Sequence, residues 1–83
     1  MGNLGSYRKK IDNIDRKIVK LLESRFEAVQ KISGFKKTNH IGIEDKKREL
    51  EVLVNIKKHS ESHRKFLAGI FREIIRYSKK LQK

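Results

Sequence analysis

The chain has 83 residues, 36% of them hydrophobic, with a formal net charge of +12 and no cysteine, proline or tryptophan. This is one small domain with thin material for a core of its own, and it excludes a disulfide scaffold, a thiolate metal site and a bilayer span, since no apolar run approaches about 18 residues. The balance fits a helical chain in a reducing, cytoplasmic setting whose partners are anionic: nucleic acid, a membrane surface or a small acidic metabolite.

The opening MGNLGS has the Met-Gly-x-x-x-Ser form of an acylation signal. Six residues of this composition match it readily by chance, so residues 1–5 are read as a disordered tail or an added remnant ahead of one domain over 6–83. Ser6 is the expected N-cap of a first helix running to about Asn39. Its apolar positions, Ile11, Ile14, Ile18, Leu21, Leu22, Val29, Ile32 and Phe35, follow helical spacing. The stretch NHIGI, residues 39–43, ends it. A second helix starts near Asp45, a good N-cap, and carries Val52, Leu53 and Ile56 before fading at KKHSESHRK. A third runs from about Arg64 to the end, with Leu67, Ile70, Phe71, Ile74, Ile75 and Leu81 as its stripe.

A first helix of that length is a rod of about 50 Å, longer than a globule of this size is wide. Two shorter helices do not cover its whole apolar face, whereas a second copy of the chain does. The expected fold is therefore all-α: three helices, one long and two shorter, in an intertwined homodimer. The alternative is a monomeric bundle bent at Gly34.

The long helix carries charges where oil belongs. Stepping along one face gives Leu21, Arg25, Ala28, Ile32 and Lys36, and Glu23 and Glu27 point elsewhere. A buried charge needs a partner. Arg25 and Lys36 share a face about 16 Å apart. Arg8 extends the seam but lies about 25 Å from Arg25 along the rod, so only an antiparallel second copy brings an Arg8 near Arg25. The third helix places Ser78 and Gln82 in line with Phe71 and Ile75, and the second opens with Asp45, Arg48 and Glu49. Three cations, one or two carboxylates, a hydroxyl and an amide facing inward describe a pocket for a small polyanion bearing a hydroxyl.

Each residue has an ordinary alternative. Arg25 pairs with Glu49 as a structural ion pair, Lys36 reaches to solvent, Ser78 and Gln82 fray, and Asp45 only caps its helix. His40, His59 and His63 are read as surface residues: the last two have i, i+4 spacing but no third ligand, so no metal is expected. No nucleophile–base pair or phosphate loop is present. An enzyme with this inventory works by binding and electrostatics.

In this order, these residues resemble the all-helical (AroQ-class) chorismate mutase family over about Tyr7 to Gln82. YRKKIDNIDRKIVKLLESRFEAVQKI is similar to that family's opening helix, with R-x-x-I-D-x-I-D and then L-L-x-x-R. FKK supplies the lysine, GIEDKKRE resembles the D-x-x-R-E segment, and FREIIRYSKKLQ the closing F-x-x-I-I-x-x-S-x-x-x-Q. The resemblance implies an intertwined dimer with two composite sites, converting chorismate to prephenate without cofactor in aromatic amino acid biosynthesis. It implies that Arg8 of the partner protomer and Arg25 hold the substrate carboxylates. Lys36 and Gln82 would then donate to the ether oxygen, with Lys36 also touching a carboxylate. Glu49 and the backbone at Asp45 would hold the ring hydroxyl, Ser78 would contact a carboxylate, and Arg48 would line the pocket.

Gly42 stands where that family usually has a proline, and KHSESHR lacks its usual Gly-then-Asp turn. A related isochorismate pyruvate-lyase lacks the glutamate matching Glu49, which favours the mutase. A nucleic-acid-binding module would show an exposed basic face, but the basic residues here are spread round all three helices. An inactive regulatory relative is disfavoured by the intact set. Neither nucleic acid nor membrane is therefore the expected partner.

Overall fold

In a computed structural model describing residues 3–83, the chain is three helices: α1 (Leu4–Thr38), α2 (Lys46–Lys58) and α3 (Arg64–Leu81). The order and bounds follow the periodicity closely; the first cap does not. Asn3, not Ser6, caps α1, its side chain accepting from the Ser6 amide at 2.8 Å. The first turn thus takes in Leu4 and Gly5, two of the five residues expected to form a tail, while Met1 and Gly2, which carry the acylation pattern, lie outside the described residues.

The 35 residues of α1 continue through Gly34 without a break, so the hinge is not there. The helix ends in a Schellman turn. The Ile41 amide donates to the Lys36 carbonyl at 2.8 Å and the His40 amide to that of Lys37 at 3.4 Å. His40 takes the left-handed position, with φ 56°, although Gly42 lies two residues on. Asp45 caps α2 as expected, accepting from the Arg48 amide at 3.0 Å. His59 is the C-cap of α2 and His63 the N-cap of α3, so their i, i+4 spacing does not fall on one helix.

α3 is the hub. It packs against α2 along one side and against the C-terminal half of α1 along the other, while α1 and α2 do not touch closely. Phe26 meets Tyr77 edge to face at 5.1 Å. Ala68, Ile74, Ile75 and Val29 form the small apolar core. The expected stripe on α1 is otherwise open: every residue from Asn3 to Leu21 is exposed, including Ile11, Ile14 and Ile18. The molecule measures 57 × 24 × 15 Å with a radius of gyration of 16.2 Å, against about 12 Å for a compact chain of this length. No helix among the described residues is long and apolar enough to cross a membrane.

Candidate functional site

Because α1 and α2 stand apart on α3, a cavity of about 410 Å³ opens between them. α1 contributes Arg25, Ile32 and Lys36, the α1–α2 connection Ile43 and Asp45, α2 Arg48 and Glu49, and α3 Ser78, Lys79 and Gln82. Seven of the eight residues singled out in the sequence therefore line one space. The eighth, Arg8, does not. It sits on the exposed half of α1, about 25 Å from Arg25 at the helical rise.

The two misplaced cations of α1 turn inward. Arg25 donates from Nη1 to Ser78 Oγ at 2.8 Å, and Ser78 in turn donates to the Ile74 carbonyl at 2.7 Å. The alternative pairing of Arg25 with Glu49 is not formed. Burial lowers the Arg25 pKa and the neighbouring charge of Arg48 lowers it further; an anion bound against Arg25 would offset both effects by favouring the charged form. Arg48 itself reaches outward to Glu51 at 3.3 Å across an exposed pair.

Lys36 does not reach to solvent either. Its Nζ donates to the Ile43 carbonyl at 2.8 Å and to Gln82 Oε1 at 3.1 Å. An ammonium has three donors, so one stays free for a ligand. The Schellman turn explains the first contact: folding the chain back at His40 brings the Ile43 carbonyl over the last turn of α1. Gln82 is buried, as is Ser78, so the last turn of α3 is not frayed. The Gln82 amide donates from Nε2 to the Ser78 carbonyl at 3.3 Å, and its backbone carbonyl accepts from Ser33 Oγ at 3.4 Å.

Two residues here escaped the sequence reading. Ser33 is buried on α1 and latches the end of α3. Lys79 donates to Glu49 Oε1 at 3.0 Å and lies 3.6 Å from Glu44. The signal for Lys79 was present, since Ile75, Ser78, Lys79 and Gln82 follow helical spacing. Glu49 Oε2 is buried and has no hydrogen-bond partner among the described residues. The lining thus holds four cations, Arg25, Lys36, Arg48 and Lys79, against two carboxylates, Asp45 and Glu49, a net formal charge of +2 with one idle acceptor. It suits a dianion bearing a hydroxyl.

A family model described as chorismate mutase type II matches residues 7–83. The chain is 35% identical over 83 residues to the chorismate mutase of Methanocaldococcus jannaschii, covering 96% of this chain and 84% of that one. It is 37% and 38% identical to the bifunctional chorismate mutase/prephenate dehydratases of Buchnera aphidicola from Schizaphis graminum and from Acyrthosiphon pisum. Those alignments cover 98% and 93% of this chain, which spans only 22% and 21% of the bifunctional proteins.

Proposed function

The chain belongs to the chorismate mutase type II family, and from that premise we propose that it isomerises chorismate to prephenate, as an intertwined homodimer with two composite sites. The observation that carries this reading is the inward turn of Arg25 and Lys36 into one cavity of net charge +2. Chorismate is a dicarboxylate with a ring hydroxyl, and the lining offers cations for carboxylate and an idle acceptor for the hydroxyl.

The roles that the family implies for these residues are compatible with the donors left over. Arg25, steadied by Ser78, holds one carboxylate. Arg8 of the partner protomer closes on the other, with Arg48 bracing the pocket and Lys36 within reach. Glu49 Oε2, the idle acceptor, takes the hydrogen of the ring hydroxyl, assisted by the backbone at Asp45. Clamping both carboxylates holds the enolpyruvyl arm over the ring in a reactive geometry. In the Claisen step the C–O bond breaks as the C–C bond forms, and negative charge builds on the ether oxygen. Lys36 and the Gln82 amide, already hydrogen-bonded to each other, stand ready to donate to that oxygen. Donors fixed there stabilise the transition state more than the ground state. The step is intramolecular, so it needs no nucleophile and no cofactor.

The dimer is supported by the uncovered half of α1. Leu4, Tyr7, Ile11, Ile14, Ile18, Val19 and Leu21 are all large, apolar and exposed, a run of the kind that marks an interface. An antiparallel copy of α1 covers it and delivers Arg8 to the open side of the cavity.

The test is chorismate consumption by the purified chain beside Lys36→Ala and Gln82→Ala. Each variant is expected to lose about 10²–10³ in kcat, the usual loss for one donor to a developing oxyanion. A folded parent dimer that leaves chorismate untouched overturns the reading.

A further inference from the structure

We propose that Lys79 is a positioning residue for this site: by gripping Oε1 of Glu49 it holds Oε2 toward the substrate hydroxyl and keeps the carboxylate from the arginines that bind the substrate. The proposal rests on the mutase reading above.

Three observations carry it. Lys79 follows Ser78 on the wall of α3 that faces the cavity, and its Nζ reaches across to α2, 3.0 Å from Glu49 Oε1. The same ammonium lies 3.6 Å from Glu44 Oε1 in the connection that carries Asp45. One lysine therefore ties α3 both to α2 and to the connection between α1 and α2. Finally, the carboxylate it holds is divided in use: Oε1 is satisfied, while Oε2 is buried and idle. A buried acceptor left unpaired is costly, and the contact that holds the other oxygen of this carboxylate is the one from Lys79.

The physical need for such a grip comes from the neighbours. Arg25 and Arg48 line the same cavity as Glu49. A glutamate with free χ angles would swing to one of them and occupy a guanidinium meant for a substrate carboxylate. Lys79 removes that option by holding Oε1 from α3. The hydrogen bond to Glu49 also raises the pKa of the ammonium, more than burial lowers it, so the grip is charged throughout the neutral range.

The experiment is a double-mutant cycle in kcat and KM with chorismate, using Lys79→Met, Glu49→Gln, the double variant and Lys79→Arg, each checked for helicity and dimer formation. Lys79→Met is expected to lower kcat/KM about tenfold, within the range for coupled neighbours. Lys79→Arg restores it to within about threefold, because a guanidinium also holds a carboxylate. In the Glu49→Gln background the same Lys79→Met change costs less than about twofold, since nothing is left to position. If Lys79→Met fails to fold, Lys79→Gln replaces it throughout the cycle. The proposal is overturned if loss of Lys79 leaves kcat/KM unchanged, or costs as much without Glu49 as with it. An active parent with either result condemns only the role of Lys79; an inert, folded parent condemns the mutase reading and this proposal with it.

Discussion

If each site draws Arg25 from one protomer and Arg8 from the other, two dead variants together make a live enzyme. Within one chain the two arginines are 17 residues apart on an unbroken helix, about 25 Å at 1.5 Å per residue, so no conformation of a single α1 brings both to one dicarboxylate. Removing either leaves a substrate carboxylate without its charged partner. That costs about 2–5 kcal/mol, or a loss of roughly 30-fold to several thousand-fold in kcat/KM. Arg8→Ala and Arg25→Ala are therefore each expected to be nearly inert. In a mixed dimer, one site receives Arg25 and Arg8 intact and the other receives two alanines. Random assembly from equal amounts makes half the dimers mixed, each with half its sites whole, so the mixture recovers about a quarter of parental activity. The assay is prephenate formation after the two variants are unfolded together in urea and refolded at equal concentration. Samples refolded apart and then pooled serve as the baseline. Activity no higher than that baseline refutes the shared site, and so does an Arg8→Ala variant with parental kcat/KM.

Two further outcomes are expected from the same structure. Ile14, 45% exposed in the single chain, lies in the middle of the face assigned to the second copy. Ile14→Glu loses about 1 kcal/mol of burial per protomer, counted twice by symmetry, and leaves a carboxylate without a partner. Sedimentation should show monomer at micromolar concentration with activity falling on dilution, and an active dimer at nanomolar concentration would move the interface elsewhere. His40→Gly relieves a side chain held at φ 56° and should raise stability to urea unfolding by about 0.5–1 kcal/mol, after the extra unfolded-state entropy of glycine is set against the strain relieved. A lower urea midpoint would mean that the imidazole contributes more than its backbone conformation costs.

Helix number, order and type were legible in the residues themselves, because three amphipathic patterns separated by NHIGI and KHSESHR leave little choice. The inward polar residues were legible for the same reason that they are unusual: Arg25, Lys36, Ser78 and Gln82 interrupt apolar stripes, and a charge on such a stripe demands a partner. Partner identity was not legible. Arg25 had Glu49 as a plausible mate in the sequence, yet it takes Ser78, and Glu49 takes Lys79. That choice depends on how α2 and α3 cross, which periodicity does not encode. The left-handed residue was equally hidden. Gly42 is the natural candidate by conformational freedom, but the Schellman hydrogen bonds fall on His40.

What the sequence by itself determined is a rod too long for its own chain and a seam of cations along it, the pattern from which a pocket for a small polyanion was expected. Local periodicity and charge cost decide these, and both are properties of residues read in order. Only the tertiary structure decided that α3 holds α1 and α2 apart, that the gap between them is the cavity, and that Glu49 keeps one oxygen idle while Lys79 grips the other. Such facts arise from side chains meeting across elements far apart in sequence, where angstroms of helix placement choose which donor reaches which acceptor.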